Sequence, residues 1–173
     1  MDRDSFLCAA TTSAKYHQRR HSFLQIIDTS INLLIVLSAA SAFGFLIGGD
    51  QRFFAQICIA IITLLGIAQI VLQIGKAAFL HQIWYKRWRD VLLDVEKYQN
   101  PSNAQMEKWN AERTAIETEC VSELRALEVD CRNNAIISLD YDQSEVRNIE
   151  WWQRVIIQIG TLQSNFPKAE SDA

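Results

Sequence analysis

From Phe53 to Ile74 the chain reads FFAQICIAIITLLGIAQIVLQI, a run without a single charge. At 1.5 Å per residue such a helix extends roughly 33 Å, matching a bilayer hydrocarbon core of about 30 Å. A second uncharged run, INLLIVLSAASAFGFLI from Ile31 to Ile47, is slightly short alone. Extended back to Phe23 it reaches membrane length and places Asp28 near the boundary. Only GGDQR, Gly48 to Arg52, joins the two runs, and its paired glycines and Asp supply the chemistry of a tight turn. Both runs must then cross together. The alternative is a soluble protein that buries both as core helices, but 173 residues offer little body to cover two charge-free helices on every side.

Orientation follows from Lys and Arg alone. Lys15, Arg19 and Arg20 precede the first run, Lys76, Lys86, Arg87 and Arg89 follow the second, and Arg52 stands alone in the connection. Both ends are expected in the cytoplasm of a cell whose inner membrane holds the hairpin. Trp84, Tyr85 and Trp88 follow the second run, where amphipathic rings favour the membrane–water interface. Lys15, Arg19, Arg20, Lys86, Arg87 and Arg89 then read as a collar touching anionic headgroups, with His17 and His21 making its strength depend on pH.

Polar residues interrupt both runs. On the second, Gln56, Thr63, Gly66, Gln69 and Gln73 project into a fan of about 140°, with Leu64, Leu65, Ile67 and Leu72 outside it. An amide in hydrocarbon needs a partner, so the fan is either interhelical glue or the lining of an aqueous path. On the first run Ala40, Gly44 and Gly48 recur every four residues, a small-residue seam that admits another backbone closely, and Asp28 and Asn32 lie one turn apart at its cytoplasmic end. Two helices have no lumen. Pore lining requires several copies, so the expected partners are the bilayer and further copies of the chain.

Beyond Gly75 nothing interrupts a helix until NPSN, Asn100 to Asn103, so the second run is expected to continue as a rod. Trp84, Trp88, Val91, Val95 and Tyr98 follow a heptad rhythm, either a coiled coil or the buried stripe of a local bundle. A Glu-rich helix is expected from about Ala104 to Asn133, with Trp109, Ile116, Cys120, Leu124, Leu127 and Cys131 on one side. Asp142 and Glu145 suggest a capping box for a last helix carrying Val146, Ile149, Trp152, Ile156 and Ile159, ended by Phe166 and Pro167 before a disordered tail. The expected organisation is a basic juxtamembrane helix over 1–22, a hairpin over 23–75 with spans at about 23–47 and 53–74 around an outside loop 48–52, a cytoplasmic helical region over 76–166, and a tail over 167–173. The fold class is thus an all-α membrane protein.

Several chemistries are not expected. The net charge of −3 is segregated along the chain, without the uniform basic surface that nucleic acid would require. Cys8, Cys58, Cys120 and Cys131 lack metal or disulfide-framework spacing and read as buried apolar residues of a reducing compartment. His17 and His21 share a helical face, but Arg19 and Arg20 would repel a cation and no third ligand lies in that turn. The opening MDRDSFLCAATTSAKYHQRRH lacks the order of a secretory signal, so the N-terminus is expected to be retained. No nucleotide loop, hydrolase or zinc-protease motif stands in a convincing context; no catalytic residue, metal or cofactor is expected.

The order of these features resembles the SLATT family, bacterial two-transmembrane effectors associated with nucleotidyltransferase (SMODS) and SLOG sensor domains. The resemblance rests on Ala14, Lys15, Tyr16, Arg19 and Arg20 in the first helix, the hairpin, the charged juxtamembrane helix and the Glu-rich tail, and spans roughly Ala9 to Ile159. It implies an antiphage defence effector that oligomerises and permeabilises the inner membrane, halting growth of the infected cell. It also implies a trigger from a protein partner or signalling-nucleotide system encoded nearby. A membrane-anchored scaffold for a soluble enzyme and a holin-like lysis protein are the alternative readings.

Overall fold

The computed structural model describes residues 2–48, 52–120, 124–150, 152, 153, 157 and 158. Among these the fold is all-α, as the sequence leads one to expect. Helix α1 spans Arg3–Gly48, α2 Arg52–Leu72, α3 Ile74–Glu96, α4 Asn103–Glu119 and α5 Arg125–Ser138, followed by a 3-10 turn at Gln143–Glu145. The chain forms two compact units, Met1–Arg20 with His81–Ala173 and, separately, His21–Leu80.

In the His21–Leu80 unit, α1 pairs antiparallel with α2 and the start of α3. Phe45 meets Phe54 at a ring separation of 5.7 Å, Asn32 meets Gln69 at 2.9 Å, and His21 meets Ala78 at 3.0 Å. The residues buried in this unit are small for the most part, Ala42, Ala55 and Ala78 beside Leu24, so the long apolar side chains turn outward. Leu64 is 68 % and Ile70 76 % exposed. Both long helices, Arg3–Ile47 and Arg52–Glu96, are long and apolar enough to cross a membrane. In the most apolar 18 residues of each, 6 % and 0 % are buried, respectively.

The expected unbroken rod carries a kink. Gln73, between α2 and α3, has φ 47°, a left-handed conformation that costs a residue with a Cβ about 1–2 kcal/mol. The last bond of α2 runs from Gln73 N to Gln69 O and the first of α3 from Ala77 N to Gln73 O, each 3.0 Å, so the two helices meet at Gln73 and the ladder is interrupted there. Neither Gly nor Pro marks the position. The other positive φ, 55° at Asp140, is ordinary by contrast, because it follows the end of α5 where Tyr141 N donates back to Ile136 O.

The second unit has a conventional core. Trp84, Trp88, Val91 and Val95 of α3 are buried together with Phe6, Ala10 and Tyr16 of α1, Trp109 and Ile116 of α4, and Leu127 and Cys131 of α5. The heptad rhythm therefore describes a buried stripe from Trp84 to Val95, and its last member, Tyr98, is exposed. Trp84 and Trp88, expected at a membrane–water interface, are core residues instead; an indole suits either place, and here neighbouring helices cover it. Asp94 ties α3 to α4 by accepting from Trp109 Nε1 at 3.0 Å and Lys108 Nζ at 3.1 Å. Ser102 and Gln105 form a reciprocal capping box that starts α4 after Pro101.

Two expected helices differ in the structure. The single Glu-rich helix is two, because α4 ends at Glu119 and Cys120 turns to an extended conformation (φ −81°, ψ 125°). Asp142 does cap, but over a single 3-10 turn, with Oδ1 accepting from Ser144 N at 2.9 Å, and Val146 is already extended. The reason lies in Asn133, whose Nδ2 donates to Arg147 O at 2.7 Å and whose Oδ1 accepts from Arg147 N at 2.9 Å. That pairing occupies both backbone groups of Arg147 and excludes a helix there, while Ile149 packs on Tyr16, Leu127 and Cys131. Ile156, Ile159, Phe166, Pro167, the tail and loop residues 49–51 lie outside the described residues.

Candidate functional site

In the hairpin unit one polar cluster stands in apolar surroundings. Asp28 and Asn32, one turn apart on α1, are joined by Asn32 Nδ2 donating to Asp28 Oδ2 at 3.3 Å. From α2, Gln69 Nε2 donates to Asn32 Oδ1 at 2.9 Å and, more weakly, to Asp28 Oδ1 at 3.4 Å. Gly75 faces the carboxylate, and a Cβ there would stand at ordinary contact distance, 3.4 Å from Asp28 Oδ1. Among the described residues no Lys, Arg or His forms an ion pair with Asp28. Asp28 is half-buried and Asn32 exposed, so the cluster has one open edge.

Of the polar fan, only Gln69 turns to α1. Gln56, Thr63 and Gln73 are exposed, Gly66 is half-buried with open space about it, and the Thr63 hydroxyl donates to Ile59 O of its own helix at 2.9 Å. The small-residue seam is likewise unused within the pair. Ala40 and Gly44 are exposed, a Cβ on Gly44 would meet nothing within 4 Å, and Ala42 makes the close approach; Gly48 ends α1.

The basic residues are divided. Lys15 Nζ donates to Asn134 O at 2.7 Å and Ser138 Oγ at 2.8 Å, Arg19 pairs with Asp130, and Arg20 donates to Gln158 O. Arg87 bridges Glu112 at 3.0 Å and Glu119 at 2.7 Å. Lys86 and Arg89 are exposed. Four of the six thus bind the globular unit together, and Lys86 and Arg89 remain as outward charges.

His17 and His21 serve different bonds. His21 Nδ1 donates to Ala78 O within the hairpin unit. His17, 2 % exposed, sets its Nδ1 2.9 Å from His81 Nδ1 and its Nε2 3.7 Å from Cys120 Sγ, with Tyr16 and Trp84 rings at 5.2 and 5.4 Å. Burial, and secondarily His81, push His17 down to about 3, so it stays neutral at physiological pH and cannot tune a headgroup collar. The relay is self-consistent in either tautomer: if His17 Nδ1 accepts from His81, its Nε2–H faces the sulfur, and if it donates, Nε2 accepts from the thiol. His81 is the participant that sequence reading missed. It lies three residues before Trp84, on the same α3 stripe. Among the described residues no group of three or more His, Cys, Asp and Glu is placed to hold a metal ion.

A groove of about 870 Å³ opens in the globular unit between the start of α1, α4, α5 and the turn after α5. Its lining holds six carboxylates, among them Asp4, Glu128, Asp140 and Asp142, against Arg113 and Arg132, and Arg113 is already paired with Glu117 at 2.7 Å. The balance is acidic. Comparison of the chain with protein-family models, with curated proteins and with solved structures finds no match.

Proposed function

We propose that this chain is an integral membrane protein whose hairpin, formed by the second half of α1 with α2, crosses the inner membrane with both termini in the cytoplasm, self-associates, and permeabilises that membrane when a partner triggers it. The observation that carries the reading is the outward display of most long apolar side chains of the two runs, a surface that a bilayer covers at low cost and water does not. Self-association is supported by Ala40 and Gly44, an exposed seam on α1, and by Gln56, an exposed amide on α2 that needs a polar environment in hydrocarbon. The resemblance to SLATT effectors supplies the biological setting, antiphage defence. Induced expression with the triggering system should collapse membrane potential. Intact potential, together with dye-tight liposomes containing the purified oligomer, would refute permeabilisation.

The acidic groove favours a second reading, a membrane-anchored scaffold that recruits a soluble enzyme through a basic segment. Glu128→Lys with Asp142→Lys should then abolish recruitment while membrane potential stays normal in every state. A pore former loses its trigger at most and keeps its permeability in purified form.

A further inference from the structure

We infer that Cys120 is a hydroperoxide-reactive thiol, oxidised to the sulfenic acid, and that His17 and His81 form a two-step relay that takes up its proton. The site lies wholly in the globular unit and stands whether or not the hairpin permeabilises a membrane.

The cysteines of this unit differ in what surrounds the sulfur. Cys131 is wholly buried and Cys8 lies half-buried in the acidic groove. Cys120 is half-buried at the C-terminal end of α4, and its Sγ stands 3.7 Å from His17 Nε2, within reach of a thiol hydrogen bond. Behind that imidazole stands a second, with His17 Nδ1 2.9 Å from His81 Nδ1. A nucleophile, a base and a third group that orients the base are the parts that activate a thiol.

His17 alone would be a poor base. It is 2 % exposed, and burial, with His81 beside it, pushes it down to about 3, so a proton arriving at Nε2 cannot stay there. The tautomer in which the thiol donates removes the difficulty, because His17 Nδ1–H then points at His81 Nδ1. As Nε2 takes the thiol proton, Nδ1 passes its own to His81. His17 is neutral before and after, and the charge settles on the half-buried His81. Glu119, the residue before Cys120, would oppose a thiolate, but Arg87 holds its carboxylate at 2.7 Å. The Tyr16 hydroxyl, beside His17, accepts from Leu124 N at 3.0 Å.

The oxidant follows from the relay. An alkylating electrophile needs only the thiolate, whereas a hydroperoxide also needs a proton for the oxygen that leaves. The sulfur attacks one peroxide oxygen, the S–O bond forms as the O–O bond breaks, and the departing hydroxide takes the proton back from the relay as water. Sulfur loses two electrons and the peroxide oxygens gain them. His17 touches the reacting atom, and His81 acts through His17 as a positioning residue.

Hydrogen peroxide is added at pH 7 to the full-length protein in detergent, sulfenic acid is trapped with dimedone, and the Cys120 peptide is followed by mass spectrometry. A synthetic peptide of residues 114–126 serves as the unassisted reference. An ordinary thiol is only a few per cent ionised at that pH, so Cys120 in the protein should react at least about fivefold faster than in the peptide. A smaller ratio overturns the inference. His81→Gln, which keeps a hydrogen-bonding side chain but cannot hold a proton, should bring the rate down to within about twofold of the peptide, and an undiminished rate overturns the inference. A second measurement needs no variant. The rate of iodoacetamide labelling at Cys120 against pH should have its midpoint below about 8, and a midpoint at or above that value overturns the inference. In His81→Gln the midpoint should return to about 8.5, a shift that altered access alone would not produce.

Discussion

His17 Nδ1 stands 2.9 Å from His81 Nδ1, so of two imidazoles in the globular core one must donate and the other accept. Protonating His17 removes that complementarity and places a charge where burial opposes it. Because burial lowers its folded value to about 3 from an ordinary 6.5, the unfolded chain binds the proton first as pH falls. Stability should be full above pH 6.5 and decline by about 1.4 kcal/mol per pH unit between there and pH 3. Denaturant unfolding of the globular unit's tryptophans at pH 7.5, 6 and 5 checks this, and His17→Gln should flatten the slope. A wild-type curve that is level over that range contradicts it.

Gln69 and Gln56 lie on the same fan of α2 but only Gln69 reaches α1. Gln69→Leu should lower hairpin stability by about 1 kcal/mol, the common size of such a bond between helices in lipid. Gln56→Leu should leave the unfolding midpoint unchanged and reduce membrane permeabilisation. If the two variants exchange these effects, the assignment of glue to Gln69 and lining to Gln56 is wrong.

The kink at Gln73 stores backbone strain that glycine would relieve. With φ 47° retained, Gln73→Gly should stabilise the chain by up to about 1 kcal/mol and Gln73→Val should destabilise it by at least as much, because branching at Cβ worsens the left-handed conformation. Thermal midpoints of the two variants on opposite sides of the wild type are the expected result.

Cys131 is 0 % exposed, and burial pushes its thiol up to about 12 against the opposing pull of Arg19. Iodoacetamide at pH 8 should leave it unmodified in the folded protein while Cys8, which lines the groove, is labelled; denaturant should make the two equal. Peptide mass spectrometry reads both sites at once. Early modification of Cys131 would place it outside the core.

Removing residues 2–20 should not produce a soluble, trimmed protein. Phe6, Ala10, Tyr16 and His17 are buried against partners from α3 to α5, so their loss should expose Trp84, Trp88 and Trp109 and cause aggregation, read as a red-shifted tryptophan emission.

How far the sequence was legible is clearest in this segment. The helical course of the apolar runs and the buried stripe from Trp84 to Val95 follow from the sequence because periodicity and charge are local properties. The role of Lys15 to His17 was not, because a basic cluster has the same composition whether it meets lipid headgroups or, as with Lys15 and Asn134, a helix end more than a hundred positions away. Likewise the break at Cys120 carries no Gly or Pro, and the extended course at Arg147 is imposed by Asn133 through the fold. For the polar cluster, the sequence brought Asp28 and Asn32 to one helix edge and Gln69 to one fan. Their meeting required the antiparallel register.

Because Phe6, Tyr16 and His17 are translated before their partners in α3, α4 and α5, with His21–Leu80 between, the order of synthesis runs against the order of assembly. The segment with Phe6 to His17 leaves the ribosome before α3, α4 and α5 exist to pack against it. It must wait until both apolar runs have been delivered and α5 has emerged, a long-range closure that is slow by its topology. A chain truncated anywhere before α5 therefore has a hairpin without a finished globular core, and quality-control proteases would meet that species while its tryptophans are still uncovered.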